Sequence, residues 1–432
     1  MDDTEIVPSM LKCFVYPGPN HLFLSVGIFH VVELAERFHV TVLLEEFQDN
    51  AIPQRVLQAL KTKNVTIIFF KRSRLLDKHR SFKTFAKNIP FDSFEFFLTD
   101  NDIGELNVYL AREAQRNRCP VFCYQTGACL GDIKEEFLNL IKIHGGRWAH
   151  KRGMPEWIGR LHYYSQRLMR HYWNYWLAPM LVGELPFRGK SSMFLRTGWW
   201  CKRDGDRVFV YEDAVKDYCL RDGLSKTRIN LIAPPSSLDI SQEFFDECYS
   251  PQGLIEKSIL LLVDWPNKSL GAEVNVGAKL VEQTSIIAHY LQRVLPDVPL
   301  LIKPHPSLMN EVSFLGDLKT LLNDITNAQI VDPQRNAIEL ISSSRMVIGE
   351  QSTLLGLAQN LGRVPVISVG FVGSIDNRAF AEVYGTHCFK SVVDLLKIDI
   401  STLPYHHLER NQNLDSLGEV VKNMILTPST DR

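Results

Sequence analysis

Apolar residues in this chain fall into short runs separated by longer stretches with helical spacing. From Leu11 the order is LKCFVY, PGPNH, LFLSVGIFHVVELAERF and HVTVLLEE, which predicts strand, turn, helix and strand. VLQALKTKNVTIIFF repeats helix then strand, FDSFEFFLTDND is a strand ending on acids, and LNVYLAREAQRN leads to PVFCYQTG. Strands alternating with helices at this spacing imply a parallel sheet with right-handed crossovers. Past residue 200, DRVFVYEDAVKDYCLRDGLSKTRINLIAPPSS returns to strand, helix, strand and stops at Pro234-Pro235. The proline pair and the polar SSLDISQEFFDE after it predict a hinge between two domains.

A second series opens at SILLLVDWP and runs through helix VEQTSIIAHYLQRVL, strand VPLLIKPHP, strand AQIVD, helix NAIELISSS, strand RMVIGE, helix TLLGLAQNLG and strand VPVISV. The expected fold class is α/β, with two Rossmann-like domains facing across a cleft. Residues 1–240 form the first domain, with an insertion at 130–200. Residues 241–400 form the second, and 401–432 a tail with a last helix. Two turns of the second series carry candidate chemistry. Pro304 and Pro306 cannot donate to a ladder, so the strand is expected to end there, with Lys303 and His305 at its carboxyl end. Ligands bind at that edge in open α/β sheets. In VIGEQSTLLG, Gly349 and Gln351 lie in a polar turn, and Ser352 and Thr353 stand where N-cap residues stand. A helix start with free N–H groups and hydroxyls attracts phosphate. One turn thus offers a histidine and the other an anion hole, which together suggest a nucleotide-phosphate site.

Residues 130–200 break the rhythm. Positions 156–200 hold five of the seven tryptophans and six Lys/Arg, against two acids, Glu156 and Glu184. Basic residues among aromatics on a helix fit peripheral contact with a membrane surface through 157–200. They equally fit a helical hairpin packed on the sheet, with arginine stems over rings.

At 432 residues the chain is long for a single core, and its net charge of −1 points away from nucleic acid as a partner. The eight cysteines lack paired C-x-x-C spacing, so no metal site is expected, and Cys119 and Cys123 suit core packing. The first turn, Gly18-Pro19-Asn20-His21, lacks a dinucleotide fingerprint. The amino terminus carries no secretory apolar region, and no apolar run reaches the roughly 20 residues that span a bilayer. The expected location is cytoplasmic, including the inner face of the cytoplasmic membrane.

Lys303-Pro304-His305-Pro306 resembles the HP motif of bacterial capsule and lipopolysaccharide transferases that use CMP-activated sugars. The Kdo transferases and sialyltransferases are among them. Gly349-Glu350-Gln351-Ser352-Thr353 resembles the serine/threonine motif of the same enzymes, and Arg228–Pro235 resembles the strand that closes their first domain. The resemblance implies a GT-B glycosyltransferase. It would move a sugar from a nucleotide donor, CMP-linked sialic acid or Kdo, to a cell-surface glycan or glycolipid, with the donor as substrate and no separate cofactor. His305 would then stabilise the leaving nucleotide's charge, and Lys303, Gly349, Gln351, Ser352 and Thr353 would line its phosphates. For the base that activates the acceptor, the chain offers Asp100 and Asp102 in TDND, or His21 in the first loop. The same broad superfamily contains non-hydrolysing UDP-N-acetylglucosamine 2-epimerases and CDP-glycerol polymerases. An epimerase, a phosphotransferase or a non-catalytic nucleotide-binding protein is therefore the alternative.

Overall fold

The computed structural model describes residues 10–18, 23–46, 52–71, 75–100, 104–125, 145–146, 148–149, 152–185, 205–221, 223–249, 257–264, 276–305, 308, 314–333, 335–350, 352–372, 386–405 and 414–426. Two all-parallel sheets organise them. The first has seven strands in the order β3-β2-β1-β4-β5-β6-β7, made of β1 (Lys12–Tyr16), β2 (His39–Glu46), β3 (Val65–Lys71), β4 (Phe96–Thr99), β5 (Val121–Tyr124), β6 (Arg207–Val210) and β7 (Ile229–Leu231). The second has six in the order β10-β9-β8-β11-β12-β13, made of β8 (Ser258–Val263), β9 (Leu300–Pro304), β10 (Ala328–Ile330), β11 (Ser344–Gly349), β12 (Val366–Val369) and β13 (His387–Phe389). Both orders run outward from the first strand of the unit, then jump to its fourth on the other side. The fold is thus α/β with two Rossmann-like units.

The helices explain why strands such as SILLLV read as unbroken apolar runs, for both faces of each sheet are covered. On the first sheet lie α1 (π turn Phe23–Gly27 continuing as Ile28–Ala35), α2 (Gln54–Lys61), α3 (Leu75–Lys87) and α4 (Glu105–Arg116). The long α5 (Glu156–Tyr172, π turn Trp173–Leu177, then Ala178–Leu181) is followed by α6 (Asp213–Arg221) and α7 (Asp239–Tyr249). The second sheet carries α8 (Val276–Val294), α9 (Phe314–Leu321), α10 (Ala337–Ser342) and α11 (Thr353–Asn360). The short α12 (Val392–Leu395) precedes α13 (Leu417–Leu426). One apolar core joins the inner faces of both sheets: Val15 and Phe209 of the first and Leu260 and Val347 of the second belong to it, with residues of α1, α7, α10 and α11 between them. Separate cores cover the outer faces, with α3 and α4 on the first sheet and α8 and α9 on the second.

The stretch expected as a polar hinge is mostly helix. In α7, Phe244, Phe245, Cys248 and Tyr249 are buried at helical spacing, and Asp239 and Glu243 made the segment look polar. Asn360 donates to Ser236 (3.1 Å) and Gln242 to the Leu361 carbonyl (2.9 Å), tying this segment to the end of α11. After the second sheet the chain returns to the first. Ala233 N–H donates to the Asp415 carbonyl (3.0 Å), and Gly418 N–H at the start of α13 donates to the buried Glu33 carboxylate of α1 (2.6 Å).

Candidate functional site

In a sheet of this topology the ligand crevice opens at the carboxyl ends of the two strands where the order reverses. The second sheet has that point between β8 and β11, and Asp264 and Glu350 follow those strands. Its neighbour β9 brings His305 to the same edge. Strand β9 ends at Pro304 as expected, and His305 N–H just past it donates to the Val263 carbonyl (2.8 Å). In a parallel ladder alternate N–H groups face opposite neighbours, so the N–H that Pro304 lacks falls toward β10, whose last rung to β9 is Val331 N–H on the Ile302 carbonyl (2.9 Å).

The His305 side chain is 51% exposed, and its Nδ1 lies 3.9 Å from Asp264 Oδ1. Lys303 takes another course. It is buried, its ammonium donates to the Pro333 carbonyl (2.8 Å), and burial lowers its pKa against the opposing pull of Asp332 and Asp264. On β11, Gly349 is set by crowding: a Cβ there would come 3.2 Å from the Leu262 Cβ and 3.4 Å from Leu355 Cδ2. Strand β8 and helix α11 therefore approach closely at this point. Ser352 is the N-cap of α11, extended (φ −145°, ψ 144°), and its Oγ accepts from Leu354 N–H at 3.3 Å. The expected strand, turn and capped helix stand, with the helix start aimed at the crevice edge.

The first sheet has its reversal between β1 and β4, and there the structure brings together residues far apart in sequence. After Tyr16 the chain passes Pro17 to Gly18, whose φ is +81°. A Cβ on Gly18 would sit 2.3 Å from Asp100 Oδ2, so the loop after β1 lies directly on the carboxylate that follows β4. Asp100 is buried. Asn107, from the first turn of α4, donates to its Oδ1 at 2.8 Å and to Thr99 Oγ1 at 2.6 Å. At the end of β5, the Tyr124 hydroxyl is buried with no hydrogen-bond partner among the described residues. Burial, and then the charge of Asp100, push its phenol well above the usual range. A Cβ on Gly27 would meet Pro17 Cβ at 2.6 Å and the Tyr124 hydroxyl at 2.9 Å, so this glycine lets the π turn of α1 seat against both. That π turn also packs against α11, which makes the ligand edges of the two sheets neighbours.

Asn107, Tyr124 and Gly27 escaped the sequence reading. Only the strand–loop–helix step of seven residues from Asp100 to Asn107 hinted at one of them. Asp102, His21, Gln351, Pro306 and residues 186–204, including Arg188, Trp199 and Trp200, lie outside the described residues, as do the side chains of Thr353 and Arg167. Among the described residues no group of three or more His, Cys, Asp or Glu is placed to hold a metal ion.

Family sequence models and curated protein sequences give no match to the chain. Solved structures do. S. aureus MnaA, solved with UDP, superposes with a TM-score of 0.52 at 13% identity, over 96% of each chain. The UDP-GlcNAc 2-epimerase of Methanocaldococcus jannaschii superposes with a TM-score of 0.50 at 12% identity, over 96% of this chain and 99% of that one. At such identities the likeness speaks for architecture alone. With two reversed parallel sheets and a last helix that returns to the first, the chain has the GT-B fold.

Proposed function

We propose that this protein is an enzyme acting on a nucleotide-activated sugar, with the nucleotide phosphates at the edge of the second sheet and the sugar reaching toward Asp100. One observation carries the reading: the reversal points of both sheets carry polar side chains suited to the two halves of such a ligand, and they adjoin through α1 and α11. His305 and the capped start of α11 supply donors for a phosphate, and preorganised donors of this kind stabilise charge that develops on a leaving group. Gln351, Thr353 and Gly349 complete that lining in the proposal, while Lys303 acts on it from behind through the Pro333 loop. Asp100, held by Asn107, is the proposed base, and Asp102 or His21 serves in its place if Asp100 stays locked. In this proposal residues 1–240 form the acceptor domain and residues 241–400 the nucleotide-donor domain.

Two reactions start from such a substrate. Epimerisation of a UDP-sugar is favoured by the shared fold, since the M. jannaschii structure is a UDP-GlcNAc 2-epimerase and MnaA was solved with UDP. Transfer from a CMP-sugar to a glycan is favoured by the Lys303–Pro306 and Gly349–Thr353 stretches. Thermal unfolding with UDP, CMP and CDP tests the common ground. A cognate nucleotide at 100 times Kd stabilises by about 2.7 kcal/mol, and no shift with any of the three refutes the reading. Incubation with UDP-N-acetylglucosamine and with CMP-sialic acid, followed by NMR, then separates the two: a new sugar epimer without acceptor marks the first, acceptor-dependent nucleotide release the second.

A further inference from the structure

Helix α5 is built with its small residues inward and its large apolar ones outward. It buries Gly159, Asn174, Ala178 and Pro179. Gly159 lies so near the Gly145 backbone that a Cβ would come 1.8 Å from the Gly145 carbonyl oxygen. Polar contacts fasten the far end. Asn174 bonds Glu105, Lys83 donates to the Val182 carbonyl (2.7 Å), and the buried Glu184 meets Arg116 at 2.7 Å and Lys83 and Arg112 at 3.4 Å. The segment is thus firmly seated on α3 and α4.

Its outer side carries Trp157, Leu161, Leu168, Tyr172, Trp176 and Met180, all exposed and spaced as one stripe along the helix. Trp157 is 65% exposed, and Met169 beside the stripe is 68% exposed. A helix of a soluble protein turns such a stripe to the core. Here, among the described residues, it is uncovered. The polar groups of the stripe are the tips of amphipathic rings, the indole N–H of Trp157 and Trp176 and the hydroxyl of Tyr172, while the Ser165 hydroxyl is already bonded to the Leu161 carbonyl at 2.8 Å. Apolar area edged by amphipathic rings of this kind is what a lipid–water boundary takes up. Charge agrees, because from Glu156 to Gly183 the chain has Arg160, Arg167 and Arg170 against the single acid Glu156, which Arg160 pairs at 2.6 Å, leaving an excess of two positive charges.

We propose that α5 lies in the headgroup–acyl boundary of an anionic lipid surface and seats the protein there peripherally, the apolar stripe downward and the basic excess of the segment favouring anionic headgroups. The proposal stands apart from the nucleotide-sugar reading. The test is flotation of the full chain with phosphatidylcholine vesicles, with and without phosphatidylglycerol. A Leu161→Glu/Met180→Glu variant runs alongside, with its unfolding midpoint and its elution volume in size exclusion. The expected result is that the protein floats with the anionic vesicles and is released as salt is raised, while the variant, equally stable, partitions at least about tenfold less. Three results overturn the proposal: the protein stays at the bottom at low salt, the variant floats as well as the parent, or the parent elutes as a dimer that the variant abolishes, which would give the stripe to a second copy. Equal flotation on phosphatidylcholine alone overturns the role given to the arginines.

Discussion

Gly18→Ala is expected to be the most informative substitution in the chain, because two separable costs meet there. The first is backbone strain: φ is +81°, and an L side chain in the left-handed region costs about 1–2 kcal/mol. The second is contact. The new Cβ would stand 2.3 Å from Asp100 Oδ2, so the carboxylate must leave its place and give up the Asn107 hydrogen bond. A bond to a charged group is worth about 1.5–3 kcal/mol. The total loss is therefore about 2.5–5 kcal/mol. Gly223 provides the control, for its φ is +90° but nothing lies within 4 Å of a Cβ there, so Gly223→Ala carries the strain alone. Urea unfolding of both variants, and of each in an Asp100→Ala background, separates the terms. Removing Asp100 clears the space, so Gly18→Ala should then cost no more than Gly223→Ala, a coupling of about 1.5–3 kcal/mol. Equal losses for Gly18→Ala and Gly223→Ala in the parent chain would refute the argument. So would additivity with Asp100→Ala, since the loop after β1 could not then rest on the carboxylate.

His305→Ala should leave the unfolding midpoint unchanged, because its side chain is half exposed, yet lower turnover of the cognate nucleotide-sugar about 10²–10³-fold. Ser352→Ala should cost about 1 kcal/mol in stability through the lost cap and weaken nucleotide binding in calorimetry, whereas Ser391→Ala, a cap in the same sheet away from the crevice, should cost stability alone. Glu184→Gln should destabilise in a pH-dependent way. Burial by itself would raise this carboxyl, but the Arg116 hydrogen bond and the charges of Arg116, Lys83 and Arg112 outweigh it and hold the folded value below the usual one. Its contribution is therefore full above the unfolded carboxylate value of about 4.3 and fades as pH falls through the lower folded value. A gap between parent and variant that stayed constant across that acid range would refute the assignment.

Much of the architecture is legible in the sequence because it is local. Alternating strand runs and helix periods, the apolar burial of SILLLV, and the Ser352 cap each depend on residues within one element. The αβ pattern therefore follows directly from the order of the chain. Where a segment mixes both signals, local reading loses its hold. Asp239 and Glu243 hide the buried face of α7. Strand order is another matter. Nothing in the periodicity of β1 or β4 says that they are neighbours across a reversal point, so the meeting of Gly18 with Asp100, with Gly27 and Tyr124 beside them, belongs to tertiary structure alone. The same holds for α5. Its sequence shows an apolar stripe of tryptophans, leucines and methionines, but periodicity carries no sign, and a helix wheel reads identically whether its apolar side faces a core or the outside. The direction was decided by Gly159, Asn174 and Ala178, small or bonding residues that let the helix sit on its neighbours by its narrow face.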